Sequence, residues 1–239
     1  MKGPVRQLRQ VVFQSSGRHP VQLEGILHLP ERIGARPAAL VCHPHPLGGG
    51  SMHNAVVAAI AYALEERGVM ALRFNFRGVG QSGGEHDNGR EETADVEGAL
   101  DWIAAQPEVD PERIFLAGYS FGAWVGLAFA QGDPRVKAVA AVGLVAWHYS
   151  SGFFRTQARP DLGVEPWQCD PHFLQSFTRP VLFISGERDP LSPPEEVRQL
   201  IERIPAPKRL IVIAGATHSL HGHEQQVGEL VADFVIDPV

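Results

Sequence analysis

The spacing of hydrophobic residues changes character along the chain. Residues 8–13 and 21–29 alternate apolar with polar positions around a Ser15-Ser16-Gly17 turn, which predicts an antiparallel hairpin at one edge of a sheet. Short continuous apolar runs follow, typical of strands buried on both faces. They lie at 38–42, 69–74, 113–119, 136–146, 181–185 and 210–214. Stretches with helical spacing alternate with them, at 54–67, 91–105, 121–131, 195–204 and 225–234.

Strands that alternate with helices form a parallel sheet when right-handed crossovers place the helices on both faces. We therefore predict an α/β fold: a doubly wound, mostly parallel central sheet flanked by helices, with an antiparallel N-terminal hairpin. No repeat or linker divides the 239 residues, so a single domain over 1–239 is expected. A long irregular segment at about 147–178 predicts a short lid insertion or binding loop.

Composition and charge exclude several classes of function. The net charge is −6 and the few basic residues form no stripe, which argues against a nucleic-acid partner. Two cysteines, Cys42 and Cys169, cannot build a disulfide framework. The polar N-terminus lacks a signal-peptide core, and no run of about 18 apolar residues occurs. We expect a cytoplasmic protein with no membrane span.

A five-residue motif, Gly118-Tyr119-Ser120-Phe121-Gly122, lies between a predicted strand and a predicted helix. In the G-x-S-x-G pattern the serine occupies a sharp, strained turn, and the glycines leave room for the neighbouring backbone. The turn presents the hydroxyl at the end of the sheet. Ser120 is the predicted nucleophile.

An acid and a histidine follow the serine in the order that such a triad requires. Asp189 comes directly after the strand at 181–185, and His218 comes directly after the strand at 210–214. We predict that His218 accepts the Ser120 proton and that Asp189 orients its ring. Alternatives stay open at both positions: Glu187 for the acid, His221 and His223 for the base.

The segment Cys42-His43-Pro44-His45-Pro46-Leu47-Gly48-Gly49-Gly50 joins the strand at 38–42 to the next helix. Its position and glycines predict one side of an oxyanion hole, with amide donors from Phe121 and Leu47. A glycine-rich loop before a helix can also bind phosphate, but the P-loop signature is absent. We predict no cofactor.

Three histidines in this region raise the possibility of a metal site: His43, His45 and His53. Zinc catalysis needs three ligands oriented by further partners. Pro44 and Pro46 indicate a rigid turn instead, so we predict no metal.

Three motifs occur in order along the chain: His43-Pro44-His45-Pro46 with its glycines, Arg73-Phe74-Asn75-Phe76-Arg77-Gly78-Val79-Gly80 with Ser82-Gly83-Gly84, and Gly118-Tyr119-Ser120-Phe121-Gly122. Together they resemble the small bacterial α/β hydrolases related to dienelactone hydrolases and serine aminopeptidase-like esterases. The resemblance covers about residues 20–235. It implies the α/β-hydrolase fold, a Ser, Asp, His triad, a two-amide oxyanion hole and an esterase-like activity. Two departures are a serine nucleophile, where dienelactone hydrolases have cysteine, and a longer 147–178 segment.

The predicted function is cleavage of a carboxylic ester through an acyl-enzyme, with thioester or amide cleavage left open. A Ser-dependent acyltransferase and a catalytically silent ligand-binding protein are alternatives. Aromatic residues of the irregular segment predict a wall for an apolar acyl substrate, although they could equally form the lid's own core. They are Trp147, Tyr149, Phe153 and Trp167. The oligomeric state is left open.

Overall fold

An eight-stranded sheet runs through the residues that the structure, a computed structural model, describes: 7–31, 34–145 and 171–238. Its strands are β1 (Gln7–Gln14), β2 (Gln22–Leu29), β3 (Arg36–Cys42), β4 (Met70–Phe74), β5 (Val109–Tyr119), β6 (Val136–Val142), β7 (Val181–Gly186) and β8 (Lys208–Ile213). The described α-helices are α1 (Ala55–Glu66), α2 (Glu92–Ala104), α3 (Phe121–Gly132), α4 (Pro194–Ile201) and α5 (Glu224–Ile236).

The strand order is β1-β2-β4-β3-β5-β6-β7-β8. β2 runs antiparallel to both of its neighbours, while β3 to β8 all run parallel to one another. The predicted N-terminal hairpin and the mostly parallel sheet are therefore confirmed.

Helices cover the two faces of this sheet, which accounts for the continuous apolar runs. β3 shows the principle, because Leu40 contributes to one apolar cluster and Val41 to the other. Residues of α2, α3 and α4 complete the first cluster, and residues of α1 and α5 complete the second. Each central strand buries side chains on both faces, as in a doubly wound α/β protein.

The observed elements differ from the predicted ones at a few ends. β6 stops at Val142 rather than at residue 146, because Gly143 adopts a φ of +56° and turns the chain. β5 begins at Val109, which pairs with Arg36 ahead of a register shift. Within the described residues, no helix is both long enough and apolar enough to cross a membrane.

The predicted insertion at 147–178 falls largely outside the described residues. Its last part forms a short 3-10 helix, Pro171–Ser176, ahead of β7. Leu174 in this helix and Phe177 directly after it are fully buried in the first apolar cluster.

Candidate active site

Ser120 occupies the sharp turn between β5 and α3. Its φ of +53° and ψ of −111° lie in a region that side chains other than glycine rarely adopt. The Ser120 amide donates to the Val142 carbonyl at 2.8 Å, so the end of β6 supports the turn. The motif therefore folds as the strained strand-to-helix turn that the G-x-S-x-G pattern predicts.

The two glycines of the motif are required by close backbone approach. A Cβ on Gly118 would overlap the carbonyl of Gly122, and a Cβ on Gly122 would overlap the carbonyl of Cys42. The second contact brings the end of β3 against the first turn of α3. The loop after β3 thus begins directly beside the nucleophile.

The structure brings Ser120, His218 and Asp189 into one line. Ser120 Oγ lies 2.9 Å from His218 Nε2, and His218 Nδ1 lies 2.7 Å from Asp189 Oδ2. A carboxylate on Nδ1 fixes the proton there, which leaves Nε2 to accept the hydrogen bond from the Ser120 hydroxyl. This arrangement can draw a proton from the serine as its oxygen attacks an electrophile.

Asp189 is 3% exposed and lies in the loop after β7, where both of its carboxylate oxygens are engaged. Its Oδ1 accepts hydrogen bonds from the amides of Leu191 at 2.8 Å and Ser192 at 2.9 Å, while Oδ2 faces His218. Glu187, the alternative acid, instead accepts from the Gly215 amide at 2.7 Å. Glu187 braces the loop that carries His218 and does not face its ring.

The two alternative histidines lie away from Ser120. The side chain of His221 is 92% exposed and lies 3.5 Å from Glu224. His223 stands at the start of α5, where its Nδ1 is 3.3 Å from Gln226 Oε1. Neither contacts Ser120 or Asp189 among the described residues.

The two amides predicted to form an oxyanion hole have different surroundings. Phe121 is the first residue of α3, and the first amides of a helix have no acceptor within it. The Leu47 amide donates to His45 Nδ1 at 3.2 Å, and its side chain is 77% exposed. The ring of His45 lies 5.1 Å from that of Phe121. Among the described residues, the backbone amide of His45 has no acceptor.

Residues of β2 and of β4, together with Asn75 directly after β4, hold the end of the loop that follows β3. Asn75 Oδ1 accepts from the Met52 amide at 2.7 Å, and Arg73 donates to the Met52 carbonyl, also at 2.7 Å. Asn75 in turn donates to Glu24 at 2.7 Å, and Arg73 donates to His28 at 3.0 Å. Both backbone polar groups of Met52 are therefore held by Asn75 and Arg73, which belong to the second sequence motif, while their partners Glu24 and His28 were not singled out by sequence reasoning.

The side chain of His43 links two backbone segments. Its Nδ1 donates to the Pro44 carbonyl at 2.7 Å, and its Nε2 accepts from the Phe76 amide at 3.0 Å. Burial lowers the pKa of His43 from 6.5 to about 4, and the hydrogen bond to Pro44 only partly opposes this change. A neutral ring with both nitrogens engaged is a poor metal ligand. No group of three potential ligands that could hold a metal occurs among the described residues.

An aromatic and imidazole cluster surrounds the ring of Phe121. His45 and His86 lie 5.1 Å and 5.3 Å from it, and 4.9 Å from each other. His86 Nδ1 is 2.6 Å from the fully buried Glu92. No periodic or motif signal points to His86, because it lies in an irregular polar stretch.

Arg77 lies in the loop after β4 and is nearly buried. Its guanidinium contacts both oxygens of Asp95, the closer at 2.7 Å, and donates to Glu91 at 3.0 Å. Burial raises the pKa of the Asp95 carboxyl, and the hydrogen bonds from Arg77 oppose that rise. Arg77 therefore ties its loop to α2.

The four aromatic residues predicted to form a substrate wall lie outside the described residues. They are Trp147, Tyr149, Phe153 and Trp167. Their part in binding stays a prediction.

Comparison with known proteins agrees with the fold. The model of the alpha/beta hydrolase domain matches residues 37–231. An uncharacterised protein of Rickettsia prowazekii is 30% identical over 205 residues, which span 84% of this chain and 79% of that protein.

Two solved structures cover almost the whole chain. An alpha-beta serine hydrolase homologue from Coxiella burnetii is 32% identical with a TM-score of 0.74, covering 93% of this chain and 96% of that one. A Xanthomonas campestris protein, described as an a/b serine hydrolase without lid, is 28% identical with a TM-score of 0.73, covering 98% and 97%. From the matched domain, the sheet order and these relatives together, the chain belongs to the α/β-hydrolase family.

Proposed function

We propose that this protein is a serine hydrolase that cleaves a carboxylic ester, with Ser120 as nucleophile, His218 as general base and Asp189 as its orienting acid. The observation that carries the proposal is the line of two short contacts, 2.9 Å and 2.7 Å, that ends on a strained serine. Such strain is retained where the surrounding structure fixes it, and it is frequent at active sites.

The reaction proceeds in two balanced steps. Ser120 Oγ attacks the acyl carbon while His218 takes its proton, and His218 then returns that proton to the departing alkoxide. The product alcohol departs, and the acyl group stays bonded to Ser120 Oγ. Water repeats the attack, with its proton passing to His218 and then to Ser120, and the carboxylic acid is released.

The oxyanion of the tetrahedral intermediate is bound by the amides of Phe121 and His45 in this proposal. The sequence favoured Leu47, but the amide of Leu47 is already engaged by the ring of His45. The His45 amide precedes that turn, and the His45 ring lies against Phe121. Two preorganised amides on one side of the acyl carbon provide electrostatic stabilisation that grows as charge develops.

An apolar acyl group is the substrate class that these surroundings favour. Large apolar side chains are exposed on both loops beside the proposed site, Leu47 at 77% and Leu191 at 49%. Exposed apolar groups around a catalytic centre favour apolar ligands. The predicted aromatic wall at Trp147, Tyr149, Phe153 and Trp167 would extend this surface.

A series of p-nitrophenyl esters from acetate to decanoate tests the proposal, with the wild type compared with Ser120→Ala. We expect hydrolysis that increases toward medium acyl chains and falls by about 10⁴-fold or more in the variant. A fluorophosphonate probe should label Ser120 in the wild type. Absence of both hydrolysis and labelling would leave a silent ligand-binding protein as the better interpretation. A preference for acetate alone would contradict the apolar acyl site.

Acyl transfer is a second candidate, since a transferase differs only in the nucleophile that accepts the acyl group. A polyketide transferase from a Penicillium species is 34% identical over 110 residues, or 45% of this chain. Adding alcohols of increasing size to the ester assay measures partition between acid and new ester. A transferase would form the new ester in preference to acid at low alcohol concentration, and a hydrolase would form acid.

A further inference from the structure

Tyr119, the residue before the candidate nucleophile, also contacts the candidate base. Its hydroxyl donates to the backbone carbonyl of His218 at 2.6 Å, and the two rings lie 5.9 Å apart. Ser120 meanwhile contacts the ring of the same histidine at 2.9 Å. Two consecutive residues of one turn therefore hold His218 by its backbone and by its side chain.

The phenol is well suited to serve as a permanent donor. Tyr119 is only 4% exposed, and burial together with the negative charges of Asp189 and Glu224 raises its pKa to about 12. The hydroxyl accordingly keeps its proton throughout the pH range in which such enzymes work. Its acceptor is a carbonyl, which cannot change protonation state.

Gly143 makes room for this contact at the end of β6. It has a φ of +56°, and a Cβ there would lie 3.2 Å from Tyr119 Cε2 and 3.4 Å from His218 Cε1. Only a residue without a side chain lets both rings occupy their places without displacement. The backbone turn that ends β6 therefore accommodates the pair.

The loop that carries His218 needs such a contact, because the residues on either side of it, Thr217 and Ser219, are exposed. Its earlier part is fixed by two hydrogen bonds: the Arg188 amide donates to the Ala216 carbonyl at 2.8 Å, and the Gly215 amide donates to Glu187 at 2.7 Å. Among the described residues, Thr217 bonds only within the loop, where its carbonyl accepts from the Leu220 amide at 3.1 Å, whereas the Tyr119 hydroxyl ties the loop to the end of β5 at the candidate base itself.

We propose that Tyr119 is a positioning residue: by binding the His218 carbonyl, it sets the position of the His218 ring relative to the Ser120 hydroxyl. This inference rests on the proposed function for its kinetic consequence, although the hydrogen bond itself requires no substrate. Tyr119 does not contact the reacting atoms in this proposal, so its loss should affect the proton-transfer step and leave substrate binding unchanged.

Tyr119→Phe removes the hydroxyl and keeps the ring, and Thr93→Val is the control for loss of a hydroxyl that donates to a backbone carbonyl. Thr93 lies in the first turn of α2, where its hydroxyl donates to the Arg90 carbonyl at 2.6 Å. For the preferred p-nitrophenyl ester, we expect kcat of Tyr119→Phe to fall about tenfold with KM unchanged, the effect of one lost hydrogen bond on alignment. Inactivation by the fluorophosphonate should slow by the same factor. Values within about twofold of wild type for both would overturn the proposal.

Proton NMR of the uncomplexed protein gives a readout that does not depend on activity. The proton between His218 Nδ1 and Asp189 should give a low-field signal in the wild type and in Thr93→Val. In Tyr119→Phe we expect it to broaden or shift, because the ring moves relative to the carboxylate. An unchanged signal would overturn the proposal. If the signal changes but the wild type neither hydrolyses esters nor is labelled, the positioning role stands and the proposed function fails.

Discussion

Single residues of the loops decide which side chains can act on a substrate. Ser120, His218 and Asp189 are 98 and 29 positions apart in successive pairs, and they meet because the loops after β5, β7 and β8 end at the same edge of the sheet. Asp189 and Glu187 come from the same loop, yet one faces His218 and the other faces the Gly215 amide. The direction of each side chain follows from hydrogen bonds that a sequence does not display.

Replacement of the two acids by their amides tests this assignment. Asp189→Asn keeps the shape but changes the tautomer of His218, so we expect kcat for the ester to fall by about 10³–10⁴-fold. Glu187→Gln retains an oxygen that can accept from the Gly215 amide, and its kcat should change less than about threefold. Both are measured in the ester assay beside the wild type. The reverse order of effects would make Glu187 the orienting acid.

The choice of oxyanion donor shows the limit of sequence reasoning at single residues. Position after β3 and the following glycines indicate the loop from which we propose an oxyanion donor, and from that information alone Leu47 is the predicted residue. The hydrogen bond from the Leu47 amide to the His45 ring depends on a side-chain rotamer, so the pattern of residues did not reveal it. The same holds for Tyr119: the sequence shows its place in the motif, but it does not show that the His218 carbonyl is its hydrogen-bond partner.

The strands and helices could be predicted well because their burial is regular. β3 and β7 are buried almost throughout and appear in the sequence as unbroken apolar runs. The error at β6 has the same origin: Leu144 and Val145 are buried, yet they lie beyond Gly143 in a loop. Apolar residues report burial, and they coincide with extended backbone only where the chain continues in the sheet.

The connection between the loop after β4 and α2 depends on the buried pair of Arg77 and Asp95. Arg77→Met would leave the Asp95 carboxylate buried without its counter-charge, and we expect the free energy of unfolding to fall by about 3–5 kcal/mol. Arg90→Met is the matched control, because Arg90 is 44% exposed where it contacts Asp87 and should contribute less than about 1 kcal/mol. Urea unfolding at neutral pH measures both. Equal losses would contradict a special role for the Arg77 pair.

The whole molecule responds to pH through His43, which is buried in the neutral form. His43 is fully buried, and its pKa in the folded protein is lowered to about 4 from 6.5. Between these values the unfolded chain binds a proton that the folded protein does not, so stability decreases as pH falls. The stability that neutral His43 contributes is fully present above pH 6.5. It decreases as pH falls from there and stops decreasing below about pH 4.

Each unit of pKa difference corresponds to about 1.4 kcal/mol, which makes the His43 contribution roughly 3 kcal/mol between pH 7 and pH 4. We expect His43→Gln to be less stable than the wild type at pH 7 but to lose about that much less on acidification. His53→Gln, at an exposed position, should follow the wild type. Urea unfolding across the pH range gives the slopes, and parallel slopes for His43→Gln and the wild type would rule this contribution out.

The hydrogen bonds of Asn75 and Arg73 to Met52 determine how far the chain can be shortened. The matched domain begins at residue 37, after β2. A fragment cut there keeps Ser120, His218 and Asp189, yet it discards Glu24 and His28, the partners of Asn75 and Arg73. The part of the chain that the family model matches is therefore shorter than the part that holds Met52 in place. We expect a fragment without the N-terminal hairpin to lose the shape of the loop after β3, where we propose an oxyanion donor.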